Sequence, residues 1–149
     1  MSAELRNLYQ EVIVDHSRRP RNFGPLPEAS QQAEGFNPLC GDQLVLYLQV
    51  ADGIIREARF EGTGCAISTA SASLMTEALK DCPTADAEAL FASFHAMLAG
   101  ERQATDRPLG KLEVLAGVRE FPSRIKCATL AWHTLLAALH HENQPVRTE

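Results

Sequence analysis

Three cysteines of the chain lie where secondary structure is expected to begin or end, and such positions make thiols reactive. Cys40 belongs to Pro38-Leu39-Cys40-Gly41-Asp42, just before the strongest strand pattern. Cys65 follows Gly62-Thr63-Gly64 and opens a helix, and Cys127 lies near the start of the last helix. A helix N-terminus favours thiolate over thiol, and the thiolate is both the nucleophile and the metal ligand. The pattern therefore indicates metal binding or sulfur chemistry.

One carboxylate accompanies these thiols. Asp42 is two residues from Cys40, and Gly41 between them lets the loop fold tightly enough for both side chains to face one point. Three thiolates and one carboxylate are the four ligands that tetrahedral zinc takes, although thiolates suit iron–sulfur clusters as well. We expect the hard oxygen ligand Asp42 to exchange more readily than the sulfurs, whereas a closed structural zinc site more typically uses cysteine and histidine.

Two basic residues flank the third cysteine, and the fourth cysteine has no such surroundings. Arg124 and Lys126 add positive charge beside Cys127. Four anionic ligands around one divalent cation leave about two excess negative charges, which Arg124 is placed to offset. Cys82 closes a predicted helix beside Pro83 without a supporting motif, so we expect it to be a small core residue.

The hydropathy pattern places strands early in the chain and helices late. It predicts a helix over residues 2–17, strands over 29–36, 44–50 and 54–61, helices over 65–80 and 85–99, a loop over 101–108, a short helix over 111–116, and a last helix that starts after Pro122-Ser123 and runs to about His141. Asp52-Gly53 predicts a hairpin turn, and Ile54, Ala58 and Phe60 share the face to be covered by helix. This order predicts one α+β domain over residues 1–149, with a small antiparallel sheet of about three strands packed on one side by helices.

Composition excludes several classes of protein. The chain has 149 residues, of which 45% are hydrophobic and 22% charged, as in an ordinary globular domain. A net charge of -5 argues against nucleic acid and anionic membranes as partners. No run approaches the roughly 18 apolar residues of a membrane span, and the N-terminus lacks a secretion signal. We therefore expect a cytoplasmic protein, whose thiols stay reduced.

The three cysteine motifs resemble those of the U-type iron–sulfur cluster assembly proteins, a family that includes IscU, SufU and the N-terminal domain of NifU. The motifs are Leu39-Cys40-Gly41-Asp42, Gly62 to Ser68, and Arg124-Ile125-Lys126-Cys127-Ala128, and the resemblance extends over about residues 5–140. IscU-type chains carry a histidine directly before the third cysteine, where this chain has Lys126. This chain also has a longer span, 61 residues, between Cys65 and Cys127. Both departures resemble the SufU branch.

The resemblance implies a zinc-dependent sulfurtransferase. It implies that zinc is held by Cys40, Asp42, Cys65 and Cys127, with Gly41, Gly64, Arg124 and Lys126 in support. It also implies that a SufS-type cysteine desulfurase delivers persulfide sulfur, which passes on to a downstream iron–sulfur assembly scaffold. Cys40 is implied as the acceptor, with a histidine of the desulfurase replacing it on the metal. Its glycine-containing loop suits such a movement.

Two alternatives remain open on the sequence. The same ligands suit a scaffold on which iron or a [2Fe-2S] cluster is assembled and passed on, and such a protein would be brown after aerobic purification. A small structural zinc module without chemistry is the second alternative, and it predicts that no persulfide forms on the chain.

Overall fold

The computed structural model describes residues 3–101, 108–142 and 144–148 and contains both helices and strands. The elements in chain order are α1 (Ala3–Arg18), β1 (Gln31–Asn37), β2 (Asp42–Ala51), β3 (Ile54–Thr63), α2 (Ala66–Leu79), β4 (Cys82–Pro83), α3 (Thr84–Ala99), a 3-10 helix (Gly110–Glu120), α4 (Pro122–Leu139) and β5 (Val146–Arg147). The loop predicted over 101–108 lies mostly outside the described residues. No helix within those ranges is long and apolar enough to cross a membrane.

The strands form one mixed sheet of five, in the order β4-β3-β2-β1-β5. All neighbours are antiparallel except β1 and β5, which run parallel. The predicted α+β class is confirmed. The prediction of an antiparallel sheet of about three strands is wrong, because the sheet has five strands and one of its pairs, β1 and β5, is parallel. The two missed strands, β4 and β5, contain two residues each, and so short a segment shows no alternation of polar and apolar side chains.

The hairpin of β2 and β3 turns at the predicted Asp-Gly pair. Asp52 and Gly53 both have positive φ, 56° and 73°, the backbone conformation of such a turn. A bulge then shifts the register, because Gln49 pairs with Glu57 while the next residue, Val50, pairs with Ile55. Ile55 therefore takes the fully buried position that the simple alternation gave to Ile54.

Helices α2 and α4 cover the inner face of the sheet, as the hairpin pattern required. Trp132 of α4 is fully buried and stacks on Phe94 of α3, with ring centroids 4.7 Å apart. Its indole Nε1–H donates to Ser71 Oγ of α2 at 3.1 Å, and that hydroxyl donates to the Ala128 carbonyl at 2.6 Å. A buried polar relay thus joins α2 to α4, the two helices that carry cysteines of interest.

Helix α1 joins the core through one buried polar residue. His16 is 1% exposed, and its Nδ1 lies 2.7 Å from Ser73 Oγ of α2. The same hydroxyl accepts the backbone N–H of Arg21 at 2.9 Å, which leaves its hydrogen for the imidazole. Burial lowers the pKa of His16 below its ordinary value of 6.5. The histidine therefore anchors α1 in its neutral form.

The predicted helix boundaries hold within a few residues, with two differences in the second half of the chain. Helix α3 ends at Ala99, as predicted, and Gly100, with a φ of 74°, forms the left-handed C-cap that glycine favours. The short helix predicted over 111–116 is a longer 3-10 helix. Helix α4 begins one residue before Ser123, because Pro122 occupies its first turn, where proline's missing N–H is tolerated.

Candidate metal centre

The ends of three strands and the starts of two helices meet at one corner of the molecule. Asn37 and Asp42 are paired residues that close the β1–β2 hairpin, so the four-residue loop between them carries Cys40. One ligand atom from each of Cys40, Asp42 and Cys127 lies within 4.8 Å of the others. The sulfurs of Cys40 and Cys127 are 3.1 Å apart. Residues 87 positions apart in sequence therefore converge on one point, and the group contains three of the four predicted ligands.

The carboxylate of Asp42 is buried and held from two sides. The residue is 1% exposed at the first position of β2. Its Oδ1 accepts the backbone N–H of Cys65 at 2.8 Å, and its Oδ2 accepts Asn37 Nδ2 at 3.4 Å. Gly64 makes this approach possible, since a Cβ there would lie 2.8 Å from Oδ1. The carboxylate is therefore fixed in position.

Cys65 caps helix α2, as predicted. It has extended dihedrals, φ -70° and ψ 167°, and its sulfur accepts the backbone N–H of Ser68 at 3.4 Å. The same sulfur lies 3.9 Å from Asp42 Oδ2. It is not within 4.8 Å of all three ligand atoms grouped above, so it stands at the edge of the group.

Cys127 lies deeper than the sequence suggested. It is fully buried and follows the first turn of α4, so the unpaired N–H groups of the helix start do not surround it. Burial raises the pKa of its thiol, and hydrogen bonds with Cys40 and Asp42 raise it further. The expectation that its position in the helix favours thiolate is therefore wrong for the metal-free chain. A bound cation would reverse this balance.

Cys40 is the accessible thiol of the group. It is half-buried on the hairpin loop, between Leu39, which is 67% exposed, and Gly41, whose φ of +72° is left-handed. One backbone hydrogen bond holds it, from its N–H to the Asn37 carbonyl at 3.3 Å. Cys40 is thus attached to a turn, whereas Cys65 and Cys127 belong to helix termini or interiors.

Arg124 faces the sulfurs from the start of α4, as its position in the motif suggested. Its Nη1 lies 3.7 Å from Cys40 Sγ and 4.0 Å from Cys127 Sγ. The hydrogen bond with Cys127, together with the charges of the neighbouring thiols, raises the pKa of the exposed guanidinium. Lys126 is half-buried, and its backbone carbonyl accepts the hydroxyl of Thr148 at 3.2 Å. The C-terminal segment therefore contacts α4 one residue before Cys127.

Asn37 is the residue of this corner that sequence reasoning missed. It is fully buried, and its Nδ2 lies 3.4 Å both from Asp42 Oδ2 and from Cys127 Sγ. One signal was available: Asn37 falls in the alternation of Ala33 and Gly35, which face the core. A polar side chain in the buried phase of a strand needs a hydrogen-bonding partner.

Cys82 lies outside this group. It is half-buried in β4 and packs against the hydrophobic core, in agreement with the predicted role. It begins a short strand instead of closing a helix, because α2 ends earlier, at Leu79.

The donor set fits a tetrahedral cation such as zinc. Thiolate sulfur and carboxylate oxygen are ligands that zinc takes, and sulfurs bonded at about 2.3 Å in a tetrahedron lie roughly 3.8 Å apart. The 3.1 Å separation of Cys40 and Cys127 needs only a small outward shift of the loop. No histidine is among the grouped residues, so the set is sulfur and oxygen alone.

Comparisons with known proteins find relatives along most of the chain. Residues 8–128 match the family model of the NifU-like N-terminal domain. The chain is 43% identical over 134 residues to the zinc-dependent sulfurtransferase SufU of Bacillus subtilis, covering 90% of both chains. It is 41% identical over 137 residues to the iron-sulfur cluster assembly scaffold protein IscU of Streptococcus pyogenes, covering 92% of this chain and 86% of the relative. The crystal structure of FiSufU from Fervidobacterium islandicum AW-1 superposes with a TM-score of 0.83 at 32% identity, covering 93% and 99%.

Proposed function

The chain belongs to the family of NifU-like N-terminal domains, and from this we propose that it serves iron–sulfur cluster assembly as a zinc-dependent sulfurtransferase. One observation carries the proposal: Cys40, Asp42 and Cys127 converge within 4.8 Å, and Cys40 alone of these three lies on a half-exposed loop. The relative from Bacillus subtilis, which bears the name of that activity, supports it. A site that combines a buried carboxylate and a buried thiol with a half-buried thiol on a loop suits transfer of a group to the loop thiol.

We assign the metal to the four residues Cys40, Asp42, Cys65 and Cys127. Zinc, when bound, keeps thiolates deprotonated at neutral pH and takes no part in redox chemistry. The chain's own residues supply the asymmetry of the site. Asp42 is buried and hydrogen-bonded through both oxygens, whereas Cys40 is half-buried on a loop, where one turn hydrogen bond is described for its backbone and its sulfur contacts Cys127 and Arg124. Cys40 is therefore the ligand that moves most easily.

Cys40 acts as the sulfur acceptor. Its thiolate attacks the outer sulfur of a persulfide on the donor, as in thiol–disulfide exchange. A sulfur–sulfur bond forms at Cys40 Sγ, and the bond between the outer sulfur and the donor cysteine breaks. The donor leaves as a thiolate, the transferred sulfur keeps its proton, and no external oxidant or reductant is consumed. Arg124, 3.7 Å from Cys40 Sγ, stabilises negative charge on this sulfur.

The chemistry of the step identifies the partners by class. The donor carries a cysteine persulfide, which is the product that a cysteine desulfurase of the SufS type makes on its own active-site cysteine. The consumer is a downstream scaffold on which sulfide and iron are combined. Exposed Leu39 and Phe121, 67% and 60% accessible, lie in the segments that carry Cys40 and Arg124 and widen the surface open to such a partner.

The test is the detection of persulfide on the chain itself. We incubate the zinc-loaded protein with a SufS-type desulfurase and cysteine, and measure the intact mass and the modified peptide. The expected result is one added sulfur on Cys40, lost in Cys40→Ser and retained in Cys82→Ser, since Cys82 lies outside the group. Persulfide formed equally well on Cys40→Ser would remove the acceptor role, and none on the parent protein would overturn the transfer reaction.

A second candidate function is that of a scaffold, favoured by the name of the relative from Streptococcus pyogenes. The same four residues would hold a [2Fe-2S] cluster as cargo. Metal content separates the two. Colourless protein with about one zinc per chain supports the sulfurtransferase, because structural and catalytic zinc sites bind single ions. Brown protein with visible absorption after aerobic purification supports the scaffold.

A further inference from the structure

We infer that Asn37 is a positioning residue that orients three of the four proposed ligands at once. The inference rests on the proposed metal site and adds a residue that is not itself a ligand. Asn37 ends β1 at the foot of the hairpin loop, directly opposite Asp42. It therefore lies between the loop that carries Cys40 and the two buried ligands, Asp42 and Cys127.

Three contacts of Asn37 are made with the proposed ligands. Its backbone carbonyl accepts the N–H of Cys40 at 3.3 Å and so shapes the turn that presents this thiol. Its side-chain Nδ2 lies 3.4 Å from Asp42 Oδ2 and 3.4 Å from Cys127 Sγ. One amide NH₂ thus reaches across to two ligands that come from different elements, β2 and α4.

The other half of the same amide shows that this arrangement has a cost. Asn37 is fully buried, and its Oδ1 finds no hydrogen-bond partner in the part of the chain that the structure describes. A buried acceptor without a partner is destabilising, and a leucine of similar volume would avoid the penalty. An asparagine at this position is therefore explained by what its NH₂ does for Asp42 and Cys127, and not by packing.

Asparagine also has the right charge for the task. With metal bound, the surrounding carboxylate and thiolates are anionic, and they accept hydrogen bonds from a neutral donor. An aspartate at position 37 has the same shape but would place an acceptor against Asp42 and Cys127. A comparison of the parent protein with Asn37→Asp therefore tests the hydrogen bonds of this side chain without a change in its shape.

The experiment compares Asn37→Leu and Asn37→Asp with Thr134→Val. Thr134 is a fully buried polar residue of α4 that donates to the Leu130 carbonyl at 2.7 Å, so its variant matches the burial without touching the site. For each protein we measure zinc affinity by competition with a chromophoric chelator, the thiolate-to-metal charge-transfer bands of the cobalt(II) form, and melting of the metal-free chain. Asn37→Ser, which keeps one donor, is included as a milder substitution.

We expect zinc affinity to fall about 10–100-fold in Asn37→Leu, in line with the loss of groups that orient metal ligands. Asn37→Asp loses more, Asn37→Ser less, and Thr134→Val retains parental affinity. The charge-transfer bands shift in the Asn37 variants alone, because a hydrogen bond to the Cys127 sulfur is removed. Parental affinity and unshifted bands in folded Asn37→Leu or folded Asn37→Asp overturn the inference, because both variants lack the donor. If the parent protein itself binds no metal, the proposed function fails instead, and the two failures are thus distinguishable.

Discussion

Replacement of Gly64 by alanine perturbs the candidate metal centre through a single methyl group. A Cβ at this position would lie 2.8 Å from Asp42 Oδ1 and 3.3 Å from its Cγ. Real Cβ contacts essentially never fall under 3.0 Å, so one of the two partners must move. Asp42 cannot rotate away freely, because it is buried and both of its oxygens are hydrogen-bonded. The methyl group therefore displaces the carboxylate or the loop before α2.

The size of the effect follows from the same distances. Relief of the contact requires a shift of a few tenths of an ångström, which lengthens the 2.8 Å bond from the Cys65 N–H to Asp42 Oδ1. Hydrogen bonds weaken beyond about 3.2 Å. Disturbance of a ligand's supporting contacts costs about 10–100-fold in metal affinity, equivalent to roughly 1.4–2.7 kcal/mol. A buried carboxylate with a poorer partner also destabilises the metal-free chain by about 1–3 kcal/mol.

The assay is zinc affinity by chelator competition, together with thermal melting of the metal-free protein. Gly117→Ala is the matched control, since a Cβ at Gly117, in the 3-10 helix, meets no atom within 4 Å. We expect the control to bind zinc as the parent does and to gain up to about 1 kcal/mol from reduced freedom of the unfolded chain. Gly64→Ala is expected to melt several degrees lower, at about 2–4 °C per kcal/mol for a chain of this size.

Parental zinc affinity in Gly64→Ala would refute the reasoning that Asp42 is a fixed ligand whose position matters. A loss of stability without a loss of affinity would show that the carboxylate supports the fold and does not hold the metal. A loss of both, with an unaffected Gly117→Ala, is the outcome that the geometry requires.

Three further predictions concern pH, metal and the core. Burial lowers the pKa of His16, so the unfolded chain takes up the proton at a higher pH than the folded chain does. The free energy of unfolding, measured in guanidinium, is therefore expected to fall as the pH drops below the ordinary pKa of 6.5. The variant His16→Gln is expected to reduce this fall to the part that is due to His133, whose pKa burial also lowers. Removal of zinc by a chelator is expected to lower the melting temperature, and unchanged melting would contradict a metal site coupled to folding. Ser71→Ala leaves the buried indole N–H of Trp132 without its acceptor and is expected to cost about 1–3 kcal/mol in denaturant unfolding, whereas a cost near zero would show that the relay is not needed.

Much of the candidate site was predictable because local signals mark its parts. Glycines before Cys65 predicted the helix start that the structure shows, and Asp52-Gly53 predicted the hairpin turn. That Cys40 and Cys127 lie close together was predicted only from the motifs around them, because a separation of 87 residues in sequence does not by itself imply a contact. Spatial convergence depends on how α4 packs on the sheet, and that packing uses residues far from either motif.

The misses share a physical cause, which is that they depend on tertiary surroundings. The two-residue strands β4 and β5 have no periodicity of their own. The thiolate expected at Cys127 is disfavoured, because burial, which only the folded chain supplies, raises the pKa of its thiol. The expectation that Asp42 exchanges more readily than the sulfurs stays untested, but its two hydrogen bonds favour the loop residue Cys40 as the mobile ligand.

The short strands at the two sides of the sheet have a consequence for the behaviour of the protein at high concentration. An open strand edge is a template on which other chains can pair and aggregate. Here β5 pairs with part of β1, while β4 and the bridge from Phe23 pair with parts of β3. These short segments contribute little to the core, but they occupy backbone hydrogen-bonding groups of β1 and β3. They therefore reduce the number of groups that are open to pairing with a strand of another molecule.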